Sequence, residues 1–134
     1  MRYLLDTDIC IYVINERPQQ VLQAFLRHES DGLGISAITA AELHYGVART
    51  GSSRNLKALY KFLAPLEIAP FDLAAAEVFG QVRAWLTAQG TPIGPNDTQI
   101  AAHAQALGVT LVTNNTREFV RVPGLRLENW ALGQ

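Results

Sequence analysis

Five short apolar runs, each too short to stand as a helix, alternate along the chain with longer segments of helical periodicity. The runs are 2–6 (Arg-Tyr-Leu-Leu-Asp), 32–36 (Gly-Leu-Gly-Ile-Ser), 66–69, 109–113 and the weaker 125–128. An apolar run bounded by turn residues reads as a strand buried on both faces. Strands that alternate with helices predict an α/β fold of three layers, a central and mainly parallel sheet flanked by helices.

The intervening segments fill in that outline. Residues 8–14 predict a short helix. Pro18 opens an amphipathic stretch with Val21, Leu22, Phe25 and Leu26 on one side, and proline suits a first helical turn. Residues 38–47 are alanine-rich and helical, interrupted at Gly46, and Ser53 is the expected N-cap of a helix bearing Leu56, Leu59, Tyr60, Phe62 and Leu63. Asp72 is expected to cap a helix with Ala75, Ala76, Phe79, Val82 and Leu86 on one face and Gly90 as its stop. A last long helix starts at Pro95 or Asn96 and runs to Leu107, ended by Gly108.

Composition bounds the function classes. With 134 residues, 49% of them hydrophobic, one domain spanning 1–134 can bury a core without disulfide or structural metal. Cys10 is the single cysteine, so no internal disulfide forms, and the expected compartment is the reducing cytoplasm. No apolar run approaches the ~18 residues of a membrane helix, and no secretory leader pattern opens the chain. The formal net charge of -1 advertises neither a polyanion binder nor a disordered acidic tail.

In α/β sheets ligands sit beyond the carboxyl ends of the strands. Asp6 ends the first run, Glu42 lies in the helix after the second, and Asp97 lies in the first turn of the helix after Gly94-Pro95. The loop after the strongest late run reads Thr113-Asn-Asn-Thr-Arg-Glu118-Phe119. Asp6, Asp8 and Asp97 each suit a helix start, where a carboxylate caps or complements the dipole. Glu42, flanked by Ala40, Ala41 and Leu43, is expected to be partly buried and to need a partner. Carboxylates that converge on one cleft repel unless a cation neutralises them, and oxygen donors without a histidine cluster favour Mg2+ or Mn2+ over zinc.

Together these stretches carry a resemblance. Leu-Leu-Asp6-Thr-Asp8, Ser36-Ala-Ile-Thr-Ala-Ala-Glu42-Leu-His-Tyr-Gly46, Gly94-Pro-Asn-Asp97-Thr-Gln-Ile-Ala-Ala102 and Leu-Val-Thr113-Asn-Asn-Thr-Arg-Glu118-Phe119 resemble the four acidic motifs of PIN domains, in order along the whole chain. The nearest likeness is to the VapC toxin ribonucleases of toxin–antitoxin modules, whose ending Val122-Pro-Gly-Leu-Arg-Leu-Glu-Asn-Trp130 also resembles.

The resemblance implies a Mg2+-dependent endoribonuclease, with Mn2+ able to substitute, that leaves 5′-phosphate and 3′-hydroxyl ends. It implies catalytic roles for Asp6, Glu42, Asp97 and Glu118, with Asp6 and Asp97 as the main metal ligands. Glu42 and Asn115 are then metal or water contacts. Many relatives carry Asp in the loop after Thr113, where this chain has Asn114 and Asn115, so Glu118 is taken as the fourth acid. The loop Gly90-Thr-Pro-Ile-Gly-Pro95 resembles enteric VapC toxins, which implies a tRNA substrate, initiator tRNA cut in its anticodon stem-loop. The implied partners are a VapB-like antitoxin, whose C-terminal segment folds over the toxin, and a second copy of the chain in a homodimer. The helix from Leu56 to Leu63 and that from Ala75 to Leu86 offer apolar stripes for that dimer through Tyr60, Phe62, Phe79 and Trp85.

Of the basic residues, Arg49, Arg54, Lys57 and Lys61 follow Glu42, and Arg117 and Arg121 flank Glu118, all candidate phosphate contacts for RNA. His28, His44 and His103 read as structural or surface, Cys10 as core, and Trp85 and Trp130 as packing anchors. Three rivals share parts of the pattern. A haloacid-dehalogenase-like phosphatase also opens with a strand ending Asp-x-Asp, but needs a later lysine loop, and Lys57 and Lys61 are the only lysines. A response-regulator receiver needs a central phosphoacceptor, for which Asp72 is nearest, and a late lysine. A non-catalytic PIN binding module is disfavoured by the intact Asp6, Glu42 and Asp97.

Overall fold

A computed structural model describes residues 1–133. In chain order the elements are β1 (Tyr3–Leu5), α1 (Thr7–Ile14), α2 (Gln19–His28), β2 (Leu33–Ser36), α3 (Ala37–Thr50) and α4 (Ser53–Leu63). They continue as β3 (Glu67–Ala69), α5 (Leu73–Ala88), α6 (Pro95–Leu107), β4 (Thr110–Val112), α7 (Thr116–Phe119) and β5 (Leu127–Glu128). The strands pair in the order β3-β2-β1-β4-β5, every pair parallel. All carboxyl ends therefore meet one edge of the sheet. The chain builds outward from β1 to β3 on one side, then returns to build β4 and β5 on the other. The order reverses between β1 and β4, which is where such sheets open a crevice.

Sheet pleat sorts the apolar runs into two cores. Tyr3, Leu5, Leu33 and Ile35 pack with α1, α2 and α4 through Ile9, Val13, Val21, Phe25, Leu59 and Phe62. Leu4 and Leu111 face the other way, against Leu86 of α5, Ile100 of α6 and Phe119 of α7. The expected three-layer arrangement is thus present, and the sheet is wholly parallel among the described residues.

Several local expectations shift by a residue or a turn. α3 runs through Gly46 without interruption to Thr50, because Leu43 and Val47 on either side pack against neighbours. It ends at Gly51, whose positive φ of 66° is a left-handed cap. The cap of α4 is Ser52, whose Oγ accepts from Asn55 N at 3.1 Å, so Ser53 is the first helical residue instead. Pro18 caps α2 rather than entering it, and Leu26 is left exposed while Val21 and Phe25 reach the core. Asp72 caps α5, accepting from Ala75 N at 3.0 Å, and Ala76 points outward. Gly108 ends α6 with a φ of 69°.

Two polar contacts lock the helices that matter below. Ser36 caps α3 by accepting from Ile38 N at 3.1 Å, and its Oγ lies 2.8 Å from Nδ1 of the buried His103 on α6. Burial lowers the His103 pKa, which favours the neutral ring in this bond. At the far end of the chain Trp130 stacks on His28 at 5.1 Å and meets Tyr3 edge-on at 5.6 Å, closing the sheet beside β5.

The tightest backbone approach in the sheet is at Gly34, where a Cβ would stand 2.7 Å from the Glu67 carbonyl of β3. Gly34→Ala forces β2 and β3 apart and is expected to destabilise the fold by about 1–3 kcal/mol, the usual range for overpacking. The denaturant midpoint, compared with wild type at unchanged m-value, measures it.

Candidate active site

Asp6 leaves β1 and becomes the N-cap of α1: its Oδ1 accepts from Thr7 N and its Oδ2 from Thr113 Oγ1, both at 2.8 Å. Thr113 follows β4, so this pair spans the switch point. The Thr113 hydroxyl also accepts from Asn115 N at 2.9 Å, which fixes the loop that leads into α7. Asn115 Nδ2 then donates to Glu118 Oε2 at 3.0 Å. Glu42 is presented from the second turn of α3: Thr7 Oγ1 donates to its Oε1 at 2.7 Å and Asn96 Nδ2 to its Oε2 at 3.4 Å. Asp97 sits beside Asn96 in the first turn of α6, where Gly94 is the N-cap and no side chain caps the helix.

The four acids found in the sequence are therefore brought to one corner, and a fifth joins them. Asp8, expected only as a helix cap, does cap Ile9 N at 2.7 Å through Oδ1. Its Oδ2 accepts from Asn114 N at 3.0 Å, across from β4. The Asp6-Thr7-Asp8 spacing was the available signal, since alternate residues in a strand-to-helix turn need not point apart once the helix begins. Thr7, Thr113 and Asn96 also went unmarked. They carry no charge and show their use only when the distant carboxylates they hold are in place.

Asn114 is tied down as well. Its side chain donates to Tyr12 Oη and accepts from the buried Asn129, both at 3.1 Å. The two asparagines thus serve as braces of the loop, and the amide of Asn115 faces Glu118.

The electrostatics record the crowding. Burial, then the charge of Asp8, pushes the Asp6 carboxyl up from 3.8 to about 6 despite the hydrogen bonds from Thr113 and Thr7. Burial, then the charge of Asp6, raises Asp97 to about 7, with Glu118 and Glu42 adding to the repulsion. Asp8 is raised too, first by burial, and feels Asp97. Among the described residues no three His, Cys, Asp or Glu side chains close on a common point at ligand distance. The carboxylates ring the opening without converging, as like charges do.

The remaining candidates lie further out. Arg49 and Arg54 are exposed on α3 and α4, and Arg117 is exposed on α7. Arg121 is held away, its Nη1 donating to the Pro92 carbonyl at 3.1 Å. His44 is exposed on α3 and turned away from Glu42, Cys10 is fully buried, and Lys57 and Lys61 are exposed on α4. Of the expected dimer stripe, Tyr60 and Trp85 are exposed and Phe79 is half-buried, but Phe62 stacks on Phe25 inside the core at 5.9 Å. Phe62 is therefore not available to a partner.

Asp6 and Asp97 make stability depend on pH in a definite direction. Their folded pKa values of about 6 and about 7 lie above the ordinary 3.8, so the unfolded chain gives up these protons first. Their contribution is full below about pH 4 and is lost as pH rises through about 6 to 7. In EDTA the melting temperature is expected to fall across that window, and Asp97→Asn is expected to flatten the fall. A calorimetric pH series on both proteins measures it, and parallel curves would refute the crowding.

Comparison with known proteins gives the family. The PIN domain family matches residues 3–125. The chain is 42% identical to the tRNA(fMet)-specific endonuclease VapC of Shigella flexneri over 98% of this chain and 99% of that protein. It is 44% identical to Ribonuclease VapC2 of Haemophilus influenzae strain Rd, covering 97% and 98% of the two. The crystal structure of VapBC2 from Rickettsia felis, bound to a DNA fragment from their promoter, superposes with a TM-score of 0.89 at 41% identity, over 97% of this chain and 99% of that one. A parallel sheet with its acids gathered at the β1–β4 switch point and likeness over nearly the full length agree: the chain belongs to the PIN-domain family and, within it, to the VapC ribonuclease toxins.

Proposed function

We propose that this VapC toxin is a Mg2+-dependent endoribonuclease that cuts a structured tRNA, and that Asp6, Glu42, Asp97 and Glu118 form its catalytic centre. The observation that carries the reading is the gathering of Asp6, Asp8, Glu42, Asp97 and Glu118 at the switch point on neutral donors alone, where burial first and neighbouring acids second raise Asp6 and Asp97. Such a corner is unfavourable for the fold alone and becomes favourable around a divalent cation.

The donor set fits that cation. Every polar side chain at the opening offers oxygen from carboxylate, hydroxyl or amide, while His103 is bonded to Ser36 and Cys10 is buried. Hard oxygen donors suit Mg2+ or Mn2+. Asp6 and Asp97 would hold the ion, which when bound supplies an acidified water and Lewis-acid stabilisation of the phosphate. Glu42, gripped through both oxygens by Thr7 and Asn96, is held at the rim to accept a hydrogen bond from the attacking water. Glu118, steadied by Asn115, completes the ring of acids on the α7 side. Water would add its oxygen to phosphorus and give up a proton, the bond from phosphorus to the 3′ oxygen would break, and that oxygen would take up a proton from solvent, leaving 5′-phosphate and 3′-hydroxyl ends.

The tRNA substrate rests on the nearly full-length likeness to the tRNA(fMet)-specific endonuclease VapC of Shigella flexneri. Initiator tRNA is accordingly the first RNA to test. The Rickettsia felis neighbour was solved as a VapBC complex, which supports an antitoxin partner here. A groove of about 280 Å3 is lined by Ile11, Ile14, Leu43, Val47 and Leu59 and has Thr7 and Glu42 at one end. It suits the apolar face of an antitoxin helix, with a basic side chain reaching the acids. A homodimer through Phe79 and Trp85 of α5 would bring two such sites onto one RNA; sedimentation at micromolar concentration is expected to give twice the chain mass.

Total RNA incubated with wild type in Mg2+ is expected to yield discrete cuts, mapped by end sequencing, that vanish in EDTA. Asp6→Asn, Glu42→Gln and Asp97→Asn are each expected to lower cleavage by more than about 100-fold, beyond the loss typical of residues that merely support a metal site. Wild-type cleavage by any two of them would overturn the assignment. Co-expression of the antitoxin encoded beside the toxin is expected to restore growth.

A further inference from the structure

Charge is distributed very unevenly in this chain. Of its 11 Lys and Arg residues, Arg49, Arg54, Lys57 and Lys61 fall within 43–66, a stretch with no Asp or Glu, although the whole chain has a net charge of -1. That stretch is α3 beyond Glu42 together with α4. All four cations are exposed, and among the described residues none makes an ion pair or a side-chain hydrogen bond. On α4 the cations Arg54, Lys57 and Lys61 stand three, four and seven residues apart, which is one face of a helix. Like charges at that spacing disfavour the helix, so folding does not call for them.

Aromatic rings share the surface. Tyr45 is 68% exposed and Tyr60 57% exposed. The Arg49 guanidinium lies over the Tyr45 ring, 5.7 Å from its centroid, and His44 meets Tyr60 edge-on at 5.9 Å. On α3, Glu42, Tyr45 and Arg49 follow at i, i+3 and i+7, a single stripe that starts at the acid corner and extends about 10 Å from it.

We infer that the α3–α4 hairpin is the surface that grips the RNA strand flanking the cut bond, with Arg49, Arg54, Lys57 and Lys61 on phosphates and Tyr45 beneath a base. The inference rests on the ribonuclease reading above and adds a location and a mode of binding. A polyanion matches an unpaired cationic face, and exposed tyrosine beside arginine suits unstacked bases. An acidic protein segment would match the charge but would leave Tyr45 and its stacked arginine unused. The hairpin also answers an electrostatic conflict: the acid corner repels the phosphate it must cleave, and the stripe that runs from Glu42 through Tyr45 to Arg49 leads the strand from that corner onto cations.

The test measures binding and turnover separately. Wild type, Arg54→Gln/Lys57→Gln/Lys61→Gln, Tyr45→Ala and Tyr45→Phe are titrated against a fluorescein-labelled RNA stem-loop in EDTA across a salt series, and cleavage of the same RNA is followed in Mg2+. The triple variant is expected to lower the slope of log affinity against log salt by about 0.7–0.9 for each lost contact. Its KM is expected to rise more than tenfold with kcat little changed, the pattern of lost uniform binding. Tyr45→Ala is expected to weaken binding with no change in salt slope, and Tyr45→Phe to keep wild-type affinity. An unchanged slope and KM in the triple variant would overturn the inference. So would a triple variant that binds RNA normally yet no longer pairs with the antitoxin, since the face would then belong to a protein partner. Wild type that binds with this salt dependence but cuts nothing would leave the grip standing and remove the ribonuclease reading.

Discussion

Repulsion between carboxylates is the constraint around which the functional corner is arranged. Asp6, Asp8, Glu42, Asp97 and Glu118 come from four separate parts of the chain, and Asp6, Asp8 and Asp97 pay for their neighbourhood with raised pKa values. They are kept there by neutral donors. Thr113 and Thr7 hold Asp6, Thr7 and Asn96 hold Glu42, Asn115 holds Glu118, and Asn114 holds Asp8 through its backbone N–H. Each of these donors partly offsets the cost of gathering negative charge without cancelling the charge itself. A lysine or arginine in any of these places would form a more stable corner and leave less charge for a cation.

Parallel pairing turns that corner into a crevice. Because all strands run the same way, the residues that follow β1, β2 and β4 meet at one edge, at the reversal of strand order where such sheets open a crevice. The helices are then fixed to one another by contacts remote from the mouth. The bond between His103 and Ser36 ties α6 to the head of α3, and so sets the relation of Asp97 to Glu42. Asn129, near the end of the described chain, braces Asn114 and through it the loop that carries Thr113. Rigidity at the acids is thus supplied by buried neutral polar groups, which do not compete for a cation.

The surface around the mouth is divided by sign and polarity. Tyr45 and Arg49 continue from Glu42 along the exposed face of α3, and the apolar groove between α1, α3 and α4 also has Glu42 in its lining. A toxin has to admit a polyanion and also be closed by a protein that keeps polyanions out. Placing the two surfaces at a shared acid lets occupancy of the groove bear directly on Glu42.

The sequence by itself determined the layers, the strand positions and most helix ends, because apolar runs, proline, glycine and capping side chains act locally. It also marked Asp6, Glu42, Asp97 and Glu118, since each follows a recognisable strand or opens a helix within a motif of the PIN type. What it misplaced was settled by packing over distance: Gly46 stays helical because Leu43 and Val47 are anchored, and Phe62 turns inward because Phe25 is there to meet it. Only the tertiary structure decided that Asp8 joins the acids, that Asn114 and Asn115 are braces, and that Thr7 serves two carboxylates at once. Those roles depend on partners up to 107 residues away, such as Thr113 on Asp6, and a neutral hydroxyl or amide gives no sign in sequence of which distant charge it will hold.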